Sequence, residues 1–122
     1  MKDEFPYANV LLEETTNYNC CSYAYYSQNT RTNKYWINDP RNYFGIDFVQ
    51  RASGTQIQVN DRIFYWKGSS MSSAGLDSLH SGISTNHGTM IKSKWGPYAL
   101  YEHAYNDCPY YTGANITWYR PV

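Results

Sequence analysis

A chain of 122 residues has room for one compact core, and its ten basic and ten acidic side chains leave no charge excess with which to grip a polyanion. Charged residues reach only 16% while aromatic residues reach 18%, fourteen of them tyrosine, which excludes the composition of a disordered chain. No apolar run approaches the roughly 20 residues a membrane-spanning helix needs, so neither nucleic acid nor a bilayer is an expected partner.

Along the chain, residues 1–16 carry no clear period and are expected to lie as an extended arm on a single domain covering 1–122. The N-terminus has no basic region, and its longest apolar run is Val10-Leu11-Leu12, so no ordinary secretory signal is legible. That leaves the compartment open between cytoplasm and export by a non-standard route. Asn17-Tyr18-Asn19 supplies capping side chains for a two-turn helix over Cys20–Ser27. Asp39 as N-cap and Pro40 at the first helical position open a second helix. Its stripe is Tyr43, Phe44, Ile46 and Phe48, and Ser53-Gly54 is its stop.

After Gly54 the period becomes that of strands: Gln56–Val59, then Asp61–Trp66. A Ser/Gly-rich loop over 67–79 reads as mobile and functional. A hairpin follows, 80–84 against 89–95, turning at Asn86-His87-Gly88; further strands are expected at 98–105 and 116–119. The predicted class is α+β, with helices packed on one face of an antiparallel sheet.

Three cysteines, Cys20, Cys21 and Cys108, with two adjacent, make a poor disulfide framework. At least one thiol is free, which suits a reducing compartment or a catalytic role. A thiol reacts as thiolate, and a helix start lowers its pKa. Cys20 stands just after the Asn cap, and His80 opens a strand beside the Ser/Gly loop, a nucleophile and base drawn from distant positions.

These residues resemble a family. Tyr18-Asn19-Cys20-Cys21-Ser22-Tyr23-Ala24 is similar to the Cys-bearing helix start of papain-like NlpC/P60 amidase-type domains. Asn60-Asp61-Arg62-Ile63-Phe64-Tyr65 resembles their Gly-Asp strand, with Asn60 at the Gly position, and His80-Ser81-Gly82-Ile83-Ser84 resembles their His-x-Gly-Ile strand. The segments 91–96 and 118–121 look like uncharacterised bacterial members. The resemblance implies a papain-like fold, N-terminal helices on a four- to six-stranded antiparallel sheet. It also implies a cysteine peptidase or amidase acting on cell-wall peptides without a cofactor. Cys20 would attack, His80 would move the proton, and the Cys20 N–H would meet the oxyanion with Tyr18 or Asn19 as second donor.

The family's third polar residue has no obvious counterpart. A two-residue hairpin turn puts Ser93 on the His80 face as its orienter; a three-residue turn puts Lys92 there. Cys21 reads as core, Cys108 as a loop or packing thiol, His87 as a solvated turn residue, and His103 as surface or cleft wall. Most tyrosines should pack their rings, although Tyr98, Tyr101, Tyr110 and Tyr111 could line a cleft. No metal-ligand spacing or phosphate loop is present. The substrate would be a peptide or peptidoglycan-type amide, with a cognate inhibitor or carrier protein as further partner. The competing readings are a catalytically inactive module binding a peptide, glycan or protein, and a toxin or effector domain of a longer protein.

Overall fold

The structure is a computed structural model and describes residues 5–52, 56–85 and 90–122. Seven strands alternate with little else: β1 (Asn9–Leu12), β2 (Phe48–Gln50), β3 (Arg62–Trp66), β4 (His80–Ser84), β5 (Met90–Lys94), β6 (Leu100–Ala104) and β7 (Asn115–Pro121). One α-helix, α1 (Cys20–Tyr25), and two single 3-10 turns, Pro40–Tyr43 and Leu76–Ser78, complete the elements. All neighbouring strands are antiparallel, in the order β1-β6-β5-β4-β3-β7-β2. Among the described residues no helix is long and apolar enough to cross a membrane.

Strand alternation divides the core in two. Phe64, Ile83, Leu100 and Tyr119 pack with the helix residues Tyr23, Ala24 and Tyr25. On the opposite face Ile63, Tyr65, Ile91, Trp95 and Tyr101 are covered by Phe5, Ala8 and residues of the turn around Cys108 and Tyr110. Arg62 fastens the end of α1 to β3, its Nε donating to the Ala24 carbonyl at 2.7 Å, which occupies one of the helix's unpaired acceptors.

The expected α+β papain-like plan with N-terminal helices is overturned: the described residues form mostly one seven-stranded antiparallel sheet with a single short helix. Two segments account for the difference. The second expected helix starts as anticipated, with the Asp39 side chain accepting from the Arg41 N–H and Pro40 in the first turn, then ends after one 3-10 turn. Phe44 turns extended at ψ 132° and Gly45 takes φ +86°, so the chain reverses and Phe48 enters β2 beside β7. There the Phe44 ring stacks on Tyr119 at 3.9 Å and meets Phe64 edge-on at 5.0 Å. Aromatic packing and a strand partner outweigh a modest helix preference. At the other edge, the arm contributes β1, paired with β6.

Gln56–Val59 forms no strand. The Gln58 N–H donates to the Asp61 carboxylate at 2.8 Å, and Asn60 follows at φ +72°. That conformation suits Gly or Asn, and here Asn stands in the position of the resembled family's glycine. The expected helix stop at Ser53-Gly54, the hairpin turn at Asn86-His87-Gly88, and Thr89 lie outside the described residues. The hairpin register pairs Ile83 with Lys92 and Ser84 with Ile91, the register of a two-residue turn. Gly82 is required by the close approach: a Cβ there would stand 2.8 Å from Ile91 Cδ1 and 3.2 Å from Ser93 Cβ.

Candidate active site

The site begins with the cap of α1. Asn19 Oδ1 accepts from the Ser22 N–H at 3.0 Å and the Ile37 N–H at 3.2 Å, while Nδ2 donates to the Ile37 carbonyl at 2.9 Å. One side chain thus starts the helix and ties the segment around Trp36 to it. Cys20 follows at the bottom of a cleft of about 270 Å³. His80, Tyr110, Gly96 and Leu79 complete the floor and inner wall; Trp36, Asn38, Leu76 and Asp77 line the rest. The cleft has room for a few side chains of a peptide segment.

Cys20 and His80 therefore meet in one cleft, from α1 and from the first residue of β4. The Cys20 thiol is held well below its ordinary pKa, first by contact with the Cys21 thiol; burial opposes this, and the His80 charge, the His80 side chain and the Ser81 N–H lower it further. Cys21 Sγ lies 3.8 Å from Cys20 Sγ and 3.8 Å from Ser81 Oγ; the neighbouring Cys20 and burial push its pKa well up, so the proton stays there. Of the two adjacent thiols, Cys20 is the one whose pKa is lowered and Cys21 the one whose pKa is raised.

His80 has no exposure to solvent, and neither of its ring nitrogens has a hydrogen-bond partner among the described residues. The thiol and the imidazole act on one another through charge, without a regular hydrogen bond closing the pair. What holds the ring is aromatic: Tyr110 stacks flat on it at 3.7 Å and 10°, and Tyr65, its cross-strand partner on β3, lies tilted at 5.3 Å.

Ser93 stands on the sheet face of Gly82 and His80, as the β4–β5 register requires, but its hydroxyl is committed elsewhere. It donates to His103 Nε2 at 2.6 Å and accepts from the Trp95 indole at 3.0 Å. His103 Nδ1 donates to the Ala104 carbonyl at 2.7 Å, which fixes the neutral tautomer. Burial first, and the nearby His80 charge, hold the His103 pKa down to about 4 against the support of the Ala104 carbonyl. His103 is thus a satisfied internal residue, where the sequence reading expected a surface or cleft-wall position. Tyr18 turns away from the thiol: its ring lies under Lys94 Nζ at 5.1 Å and lines a second groove beside β1. Asn19 reaches the cleft, though its amide is occupied by capping.

Sequence reasoning missed Lys94. Its Nζ is buried, donates to the Thr15 and Gly96 carbonyls, and has its pKa lowered to about 8 by burial, against the support of the Cys20 and Glu14 charges. A lysine alternating with Lys92 on a strand gave no signal that it would point inward. The loop over 67–79 does border the cleft through Leu76 and Asp77, but it is anchored. Arg41, held bidentately by Asp39 at 2.8 Å, donates to the carbonyls of Met71, Ser72 and Ala74 at 2.8, 3.3 and 3.0 Å. Cys108 packs under the turn before Tyr110, its pKa raised by burial. Among the described residues no three His, Cys, Asp or Glu side chains converge as metal ligands. Comparison of the chain with family models, with curated proteins and with solved structures yields no match.

Proposed function

We propose that this protein is a cysteine hydrolase of amide bonds, working through Cys20 and His80. The observation that carries the reading is a buried thiol of lowered pKa sharing a cleft with an imidazole whose two nitrogens have no hydrogen-bond partner among the described residues. Buried polar atoms without partners are rare, and the groups with which proteins do chemistry are prominent among the exceptions.

In the reaction, the Cys20 proton passes to His80 and Sγ bonds to the carbonyl carbon. The C–N bond then breaks as His80 returns the proton to the leaving amine. His80 next takes a proton from water, hydroxide adds to the thioester, the C–S bond breaks as His80 returns that proton to Cys20 Sγ, and the acid leaves. The Cys20 and Cys21 N–H groups, in the first turn of α1, have no intrahelical acceptor and supply donors for the oxyanion. The resemblance of the three motifs to NlpC/P60 domains supports cell-wall peptides as substrate class.

A second reading, a silent module that binds a peptide or protein in the same cleft, is favoured by the commitment of Ser93 to His103. Cleavage of muropeptides and of a fluorogenic peptide panel, with Cys20→Ala as control, separates the two. Hydrolysis lost in Cys20→Ala supports the enzyme. A wild-type chain that binds peptide without cleaving it, and whose Cys20 alkylates only near the free-thiol pKa of about 8.5, establishes the silent module.

A further inference from the structure

A catalytic histidine ordinarily has its ring oriented by a hydrogen bond from the nitrogen that does not face the nucleophile. His80 lacks that bond, and the side chain expected to supply it, Ser93, is engaged with His103 and Trp95. The ring plane is nevertheless defined, because Tyr110 lies parallel to it at 3.7 Å. The Tyr110 hydroxyl does not point at the imidazole nitrogens but stands near Gly96, where an added Cβ would be 3.8 Å from it.

We propose that Tyr110 is the positioning residue of the pair: its ring face, in place of a hydrogen-bonded third residue, sets the plane of the His80 imidazole and stabilises it as imidazolium beside the Cys20 thiolate. This rests on the hydrolase reading. The physical basis is the negative face of the phenol ring, which attracts a cation laid over it most strongly where water is excluded. The scaffold behind Tyr110 is suited to the task. The turn is packed through Cys108, and Tyr65 donates its hydroxyl to the Tyr105 carbonyl, so the ring rests on an anchored segment. Tyr110 itself stays a neutral phenol, its pKa raised by burial and then by the Cys20 charge.

Other groups that act on His80 or on its thiol are in place whatever occupies position 110. They are Cys20 and Cys21 on α1, Tyr65 on β3, Ser81 on β4, Lys94 on β5 and His103 on β6. A change confined to position 110 therefore reads the stacking.

The test is the rate of Cys20 alkylation by iodoacetamide against pH, with peptide hydrolysis in parallel, for wild type, His80→Ala, Tyr110→Phe and Tyr110→Leu. Tyr110→Phe keeps the ring face and should keep both the profile and the hydrolysis rate. Tyr110→Leu keeps bulk without the ring face and should move the profile about one unit to alkaline pH, with hydrolysis down about tenfold. A Tyr110→Leu profile that overlays wild type while His80→Ala shifts it overturns this inference and leaves the hydrolase standing. A Tyr110→Phe variant as impaired as Tyr110→Leu also overturns it, because the hydroxyl would then be the active part. His80→Ala with an unchanged profile removes the hydrolase reading itself.

Discussion

Two histidines lie on neighbouring parts of the same sheet, both with no exposure to solvent, and they are treated in opposite ways. Around His103 every polar atom is used: Ser93, Trp95 and the Ala104 carbonyl take both ring nitrogens. Around His80 neither nitrogen has a partner among the described residues, and the ring is held by tyrosine faces in the lining of a cleft. Burial alone therefore does not distinguish these two histidines. Hydrogen-bond satisfaction does, because leaving a buried nitrogen unpaired costs about 1–3 kcal/mol and persists only where something else requires it.

The contrast is easiest to break through activity. His80→Ala should lower amide hydrolysis by about 10²–10⁴-fold, the range that a positioned acid–base group contributes, whereas a folded His103 variant should stay within about tenfold of wild type. Equal losses in peptide turnover would dissolve the distinction.

Stability should run the other way. His103→Leu strands the Ser93 hydroxyl donor while the Trp95 indole keeps Ser93 Oγ, and should cost about 1–3 kcal/mol in urea unfolding. His80→Leu removes two unpartnered nitrogens while keeping apolar bulk, and should unfold at or above the wild-type midpoint. A His80→Leu variant less stable than His103→Leu would show that the His80 ring is a packing element.

The pH dependence sharpens the same comparison. His103 has a folded pKa of about 4 against 6.5 for a free imidazole. The unfolded chain thus binds more protons between those values, and stability falls as pH drops from about 6.5 to about 4, by on the order of 3 kcal/mol. Urea midpoints at several pH values should show this slope in wild type and lose it in His103→Leu. A slope that survives the substitution assigns it to other groups.

The smallest expected effect concerns the cleft wall beside His80. Arg41→Ala releases the carbonyls of Met71, Ser72 and Ala74, and should cost about 1 kcal/mol. Amide exchange should quicken over 71–79 and stay unchanged in β6 around His103. Exchange that accelerates equally in both places would mean that the wall and the sheet open together.

The two halves of the proposed pair were legible in the chain because each follows from local chemistry. An Asn cap before Cys20 is a helix start wherever the segment lies, and the His80–Ser84 alternation is a strand against any partner. The sequence left the hairpin register open between Ser93 and Lys92 on the His80 face, and the β4–β5 pairing puts Ser93 there. Where the Ser93 hydroxyl goes was not, since Ile91 of β5 pairs with His103 of β6, and this brings an acceptor from ten residues further along. Tyr110 was one of several tyrosines, and only the turn through Cys108 lays it on the imidazole.

By itself the sequence determined the cap and start of α1, the strand periods of β3 to β7, and the candidacy of Cys20 and His80. Each depends on side-chain character within a few residues. Only the tertiary structure decided that Phe48 enters a strand instead of continuing a helix, that the arm closes the other edge as β1, and that the two inward-facing histidines differ. Those outcomes depend on which backbone edge and which polar partner is within reach. That is a property of the assembled sheet, in which partners distant in the chain compete with local preference and win by burial and aromatic packing.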